Sequence, residues 1–246
     1  MISPNPIGHG YSTTLLRVAD LAKRYRDELA ISGITFSVST GEVLGVVGPN
    51  GAGKTTLLEA IAGLLTADSG AVFWRGEELP ASRRREALFY LPDGIRPYQD
   101  RLVAEVAAFF AGVYRRSGAE VANAIAAVRM APVLHKRVRE LSKGYNRRLL
   151  LALGLLTPHD LLLMDEPFDG FDLRQTRDII GVLRKEAGGG RTFVLAIHQL
   201  ADAERVCDRF ILLAGGQLRA IGTIGELRMQ AALPNGSLED IFFALA

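Results

Sequence analysis

The sequence predicts an α/β fold built on a mostly parallel sheet that a helical segment interrupts. Three observations carry this. VLGVVG, Val43 to Gly48, is apolar without alternation, as in a parallel strand buried on both faces, and it runs through glycines into a helical pattern, TTLLEAIAGLL. DLLLMD and TFVLAIH repeat the buried-strand pattern later, on either side of a charged helical segment, DLRQTRDIIGVLRKEAGGG. Between these groups lies an alanine-rich helical stretch from Arg101 to about Arg139. Strands that alternate with helices give a doubly wound sheet.

Taken in order, the elements begin after a polar tail, residues 1–14, which contains Pro and Gly and is expected to be flexible. LLRVADL and ITFSVST read as short strands, the second alternating like a half-buried one. AVFWRGEEL is a strand with a turn at Arg75-Gly76. LSKG breaks the chain before RRLLLALGLL, with Ser142 placed as the N-cap of a helix. RFILLAGGQLRAIG reads as a hairpin turning at Gly215-Gly216.

Composition narrows the function classes. The 246 residues are 48% hydrophobic with a net charge of +2, so no strong field draws the whole molecule to nucleic acid. Basic clusters at Arg83–Arg85 and from His135 to Arg148 read as solvated faces. The single cysteine, Cys207, fits a reducing compartment and reads as a small apolar filler. No stretch approaches the ~18 uninterrupted apolar residues of a membrane span, and MISPNPIGHG lacks a signal pattern. The expectation is a cytosolic chain, with docking on a membrane protein left open.

GPNGAGKT, comprising Gly48, Pro49, Asn50, Gly51, Ala52, Gly53, Lys54 and Thr55, fits the phosphate-loop pattern G-x-x-x-x-G-K-[ST] between a strand and a helix, with Thr56 next in the helix. Glycines let backbone N–H groups turn toward phosphate oxygens, and the helix N-terminus adds a favourable dipole. Lys54 reaches the outer phosphates and Thr55 offers its hydroxyl to Mg²⁺. LLLMDEP places Asp165 and Glu166 at the exit of a buried strand, where open α/β sheets bind ligands. Asp165 would help hold Mg²⁺, and Glu166 would act as general base toward the attacking water. His198, ending TFVLAIH, would reach the γ-phosphate from the same edge.

LSKGYNRR, Leu141 to Arg148, separates this chain from simple phosphate-loop GTPases and kinases. It resembles the L-S-G-G-Q signature of the ATP-binding cassette (ABC) ATPases, matching at Leu141, Ser142 and Gly144 and departing at Lys143 and Tyr145. The resemblance runs from about Leu15 to the C-terminus, with motifs in family order. It implies an ABC ATPase fold: a phosphate-loop NTPase core over 15–92 and 150–224, an N-terminal antiparallel β subdomain, an inserted α-helical subdomain over 93–149 and a C-terminal helical tail over 225–246. It implies that Tyr25 in AKRY stacks on adenine and that Asp172 in FDGFD lies in the loop joining two active sites. Asp165, Glu166 and His198 match the family's Walker B and switch-histidine motifs.

The same resemblance implies ATP and Mg²⁺ as cofactors and a head-to-tail dimer, homomeric or heteromeric. In that dimer Ser142 and Gly144 face the ATP held by the other subunit. It further implies integral membrane permease subunits as partners and a place on the cytoplasmic face of the membrane, with nucleic acid not expected. LSKGYNRR, AIHQLADAERVCD and GSLEDIFFAL resemble bacterial exporter-type cassettes. Two alternatives stay open: a soluble ABC ATPase acting on ribosomes or nucleic acid, and a weakly hydrolysing partner in a heterodimer.

In the family, the loop joining core to insertion carries a glutamine that touches Mg²⁺ and water. Asp93 in LPDGIRP stands at that place. Three readings remain open: Asp93 is itself a Mg²⁺ ligand, Gln99 supplies the amide, or Asp93 shapes an Asp-Gly turn.

Overall fold

The computed structural model describes residues 14–246, so the expected N-terminal tail, apart from Thr14, lies outside the described residues. Two sheets form the framework. The first is antiparallel, with spatial order β2-β1-β4-β5, built from β1 (Thr14–Tyr25), β2 (Glu28–Ser39), β4 (Ser69–Trp74) and the two-residue β5 (Glu77–Glu78). The second has order β10-β9-β3-β8-β7-β6, from β3 (Val43–Val47), β6 (Leu88–Leu91), β7 (Leu161–Asp165), β8 (Thr192–Ile197), β9 (Arg209–Ala214) and β10 (Gln217–Gly222). It is parallel from β9 to β6, and β10 closes one edge as the antiparallel half of a hairpin.

Burial follows the sequence patterns. Every residue of β3, β7 and β8 is buried, as unbroken apolar runs require when both sheet faces are covered. In β2, Ile34, Phe36 and Val38 point inward between more exposed neighbours, the alternation of a strand with one wet face. The two faces of the central sheet feed separate cores. Leu44, Val46, Leu163 and Val194 pack with helix α1 (Lys54–Ala62) and the antiparallel sheet. Val43, Val47, Leu162 and Leu195 pack on the other side with helices α3 (Val103–Val113), α5 (Lys143–Leu156) and α6 (Leu173–Gly188).

The alanine-rich stretch forms two α-helices: α3 ends at Tyr114, and α4 (Gly118–Ala127) restarts from Ser117, whose hydroxyl accepts from the Glu120 N–H. Short 3₁₀ turns at Ala131–Val133 and Val138–Glu140 lead to α5, which Ser142 caps through the Tyr145 N–H. α5 runs unbroken through residues 149 and 150 and so belongs to both the insertion and the core. The remaining helices are the single turn α2 (Arg84–Ala87), α7 (Leu200–Val206), α8 (Ile224–Gln230) and α9 (Leu238–Leu245). Among the described residues, no helix is long and apolar enough to cross a membrane.

Two sequence expectations change. The four-residue strand β6 is absent from the elements that the sequence patterns predict: LFYL is short and follows an arginine run, and its pairing with β7 defines it. The basic clusters are also not simply solvated. Arg84, Arg147 and Arg148 are buried, with Arg84 donating to the Ala60 and Leu79 carbonyls and Arg148 to the Val128 carbonyl. Buried guanidinium groups are retained where carbonyls and carboxylates satisfy them.

Candidate functional site

Strands β3 and β7 are separated only by β8, so the loop after β3 and the exit of β7 meet at one edge of the sheet. There they line a cleft of about 700 Å³, together with Tyr25 from the end of β1, Asp93 from the loop after β6, and the Gly215-Gly216 turn.

The phosphate loop owes its shape to Gly53, which precedes α1 with φ of 101°. A Cβ there would stand 2.4 Å from the Ala30 carbonyl oxygen, so only glycine fits. No side chain caps α1, which leaves the first N–H groups of the helix directed toward the loop. Lys54 is buried and donates to the carbonyls of Gly48 at 2.8 Å and Pro49 at 3.1 Å, with Glu166 Oε1 3.9 Å away. Burial pushes its ammonium below the ordinary lysine range, while Glu166 and Asp165 act against that shift.

Thr55 donates its hydroxyl to Asp165 Oδ2 at 2.6 Å, joining the first turn of α1 to the end of β7. Burial raises the Asp165 pKa; the Thr55 hydrogen bond lowers it, and the Asp93 carboxylate adds to the rise. Glu166 follows in the left-handed region, with φ of 49°, and its N–H bonds to the Ala196 carbonyl of β8. A non-glycine residue held there costs on the order of 1–3 kcal/mol, and such outliers cluster at active sites. Glu166 Oε2 lies 2.6 Å from His198 Nδ1, so the residues just beyond β7 and β8 are bridged by their side chains.

The cleft brings together Tyr25, Asn50, Gly51, Gly53, Lys54, Thr55, Thr56, Asp93, Asp165 and Glu166. Gly48 and Pro49 adjoin it through Lys54, Ala52 is buried behind the loop, and His198 enters through Glu166. Ser142, Gly144 and Asp172 do not line it. Ser142 caps α5, and Asp172 caps α6 by accepting from the Gln175 N–H at 2.8 Å. Gly144 sits against this second cap, where an added Cβ would lie 3.1 Å from Gln175 Oε1 and 3.2 Å from the Gly170 carbonyl. Lys143 pairs with Asp169 at 2.5 Å.

Asp93 begins a turn with Gly94, whose φ is 69°, and its carboxylate meets Arg147 Nη2. Gln99 lies outside the cleft, its backbone carbonyl accepting from the Arg139 N–H at 3.0 Å. Arg147 is the participant that the sequence reading missed. It is a buried arginine one turn into α5 that pairs with a cleft carboxylate, and composition alone hides it inside a basic cluster.

The ABC transporter family pattern matches residues 31–169, more than half of the chain. Among curated relatives, a Nod factor export ATP-binding protein I of Rhizobium etli is 35% identical over 221 residues, covering 87% of this chain and 70% of the relative. A probable multidrug ABC transporter ATP-binding protein of Escherichia coli is 31% identical over 94% of this chain but 42% of the relative. A solved ATP-binding subunit of an ABC transporter superposes with a TM-score of 0.85 at 30% identity, covering 94% of this chain and 99% of that one. With the phosphate loop, the acidic strand exit and the capped LSKG helix all in place, the chain belongs to the ABC transporter family as an ATP-binding ATPase subunit.

Proposed function

We propose that the chain is the ATP-hydrolysing subunit of an exporter, working as a pair of cassettes beneath separate permease subunits on the cytoplasmic face of a membrane. One observation carries this: a single chain gathers the phosphate loop, Asp165 and Glu166 in one cleft and leaves Ser142, Gly144 and Asp172 outside it. A donor-rich helix start outside the chain's own cleft suits the γ-phosphate of ATP held by a second cassette. Support for export comes from relatives named for Nod factor export and multidrug transport.

The residues fit the nucleotide and its metal. Five carboxylates line the cleft, from Glu28, Glu59, Asp93, Asp165 and Glu166, against the single ammonium of Lys54. A polyphosphate therefore enters with a divalent cation. Thr55 and Asp165, already in contact, are hard oxygen donors of the kind that hold Mg²⁺ beside phosphates. Mg²⁺, when bound, offsets charge on the phosphate oxygens.

Tyr25, about half exposed at the end of β1, gives adenine a face to stack on. Gly48 to Gly53 and the start of α1 wrap the phosphates with N–H groups, and Lys54 exchanges its two carbonyl partners for phosphate oxygens. Glu166 takes a proton from the attacking water, and His198, fixed on Glu166, orients that carboxylate and meets the γ-phosphate. Asp172 lies where two cassettes would join.

Lys54→Ala tests this reading. Mg-ATP binding, followed by calorimetry, is expected to weaken by at least about 100-fold, since a buried charged partner of the phosphates is removed. Unchanged affinity would contradict it.

A further inference from the structure

The loop that joins β6 to the helical insertion is fastened to the start of α5 by two adjacent side chains. Asn146 Nδ2 donates to the Ile95 carbonyl at 2.8 Å, and Arg147 Nη2 donates to Asp93 Oδ1. Arg147 Nη1 also approaches the Asp165 backbone carbonyl at 3.4 Å, and only 6% of the arginine side chain is exposed. One guanidinium thus contacts the loop before the insertion and the exit of β7 from a position on the helix that LSKG opens. Asn146 is buried as well, so the fastening is not a chance surface contact.

The charge balance gives this arrangement a purpose. Asp93 lines the phosphate cleft, nearly half exposed, among four other carboxylates. An uncompensated fifth acid would repel a polyphosphate; a guanidinium on its carboxylate cancels most of that field. We propose that Arg147 is a positioning residue that carries Asp93 as an ion pair, so that loop 92–98 stays tied to the LSKG helix while its acid does not oppose ATP. Asp93 in this arrangement acts through its pairing with Arg147 and not as a ligand of the metal. The inference rests on the reading of the cleft as an ATP site.

The test is a double-mutant cycle read by calorimetric binding of Mg-ATP and Mg-ADP, with thermal unfolding as a check on folding. Arg147→Gln frees the Asp93 charge and is expected to weaken Mg-ATP binding by roughly three- to tenfold, and Mg-ADP less, because the repulsion scales with ligand charge. Asp93→Asn leaves the guanidinium uncompensated and is expected to tighten Mg-ATP binding by about two- to fivefold. The double variant should return to within about twofold of the parent. Arg147→Lys keeps the charge and should preserve the ATP-to-ADP preference.

If Arg147→Gln does not fold, Asp93→Asn and Arg147→Lys decide the matter by the same readout. Weakening of both nucleotides equally by both single variants, or an Asp93→Asn variant that binds Mg-ATP no tighter than the parent, would overturn the proposal. A parent chain that binds no Mg-ATP would overturn the ATP-site reading itself, and the proposal with it.

Discussion

Glu166 and His198 share a short contact, 2.6 Å between Oε2 and Nδ1, although 32 residues separate them in the chain. Parallel strands β7 and β8 end side by side, and the left-handed turn at Glu166 aims its carboxylate across to the neighbouring strand end. The contact fixes the carboxylate beside Lys54 at the open edge of the sheet.

Removing basicity at that carboxylate should stop turnover without emptying the site. Glu166→Gln is expected to lower steady-state ATP hydrolysis by at least about 100-fold, the usual contribution of a positioned general base, while Mg-ATP affinity stays within a few-fold of the parent. His198→Ala should lower turnover less or equally, because it frees a carboxylate that is still present. Single-turnover hydrolysis beside nucleotide titration separates the two effects.

Asp165 is buried at 3% exposure, and burial raises its pKa. A raised carboxylate pKa means that the folded state binds the proton more tightly than the unfolded one, so the group's contribution to stability falls as pH rises through its titration range. Asp165→Asn keeps an acceptor for the Thr55 hydroxyl and removes the buried charge. The nucleotide-free chain should therefore melt higher at neutral pH, while the stabilisation added by Mg-ATP shrinks. Thermal scans with and without Mg-ATP read both changes.

Gly53 has no room for a methyl group, given the Ala30 carbonyl beside it and its φ of 101°. Gly53→Ala is expected to cost about 1–3 kcal/mol of folding stability from backbone strain and to displace the N–H groups of the phosphate loop. Denaturant unfolding and Mg-ATP titration should both register the loss.

Gly144 lies at the start of α5, outside the chain's own cleft. Gly144→Asp sets a negative charge where a partner's γ-phosphate is proposed to dock. Mg-ATP binding to the isolated chain should hold, whereas turnover and ATP-driven pairing should fall by at least about tenfold. Equal losses in both would place Gly144 in the chain's own ATP site.

Much of this site is legible in the sequence because its parts are local. A buried strand, a glycine loop and a lysine on the first turn of a helix specify one another within a dozen residues, and the acids at Asp165 and Glu166 follow directly from their strand. What escapes is non-local or context-bound. β6 takes its identity from pairing with β7, 73 positions away at Leu88 and Leu161. Arg147 reads as part of a basic cluster until the fold brings Asp93 to it across 54 residues. The break between α3 and α4 is local, through the Ser117 cap, but is masked by an alanine-rich composition that favours helix throughout.

The proposed function requires that ATP complete its site only between two cassettes. The measurement is the mass of the Glu166→Gln chain by light scattering after size exclusion, without nucleotide and with saturating Mg-ATP. The expected result is a monomer that doubles in mass with Mg-ATP and reverts when the nucleotide is removed. A variant that binds Mg-ATP fully and remains monomeric would contradict the claim.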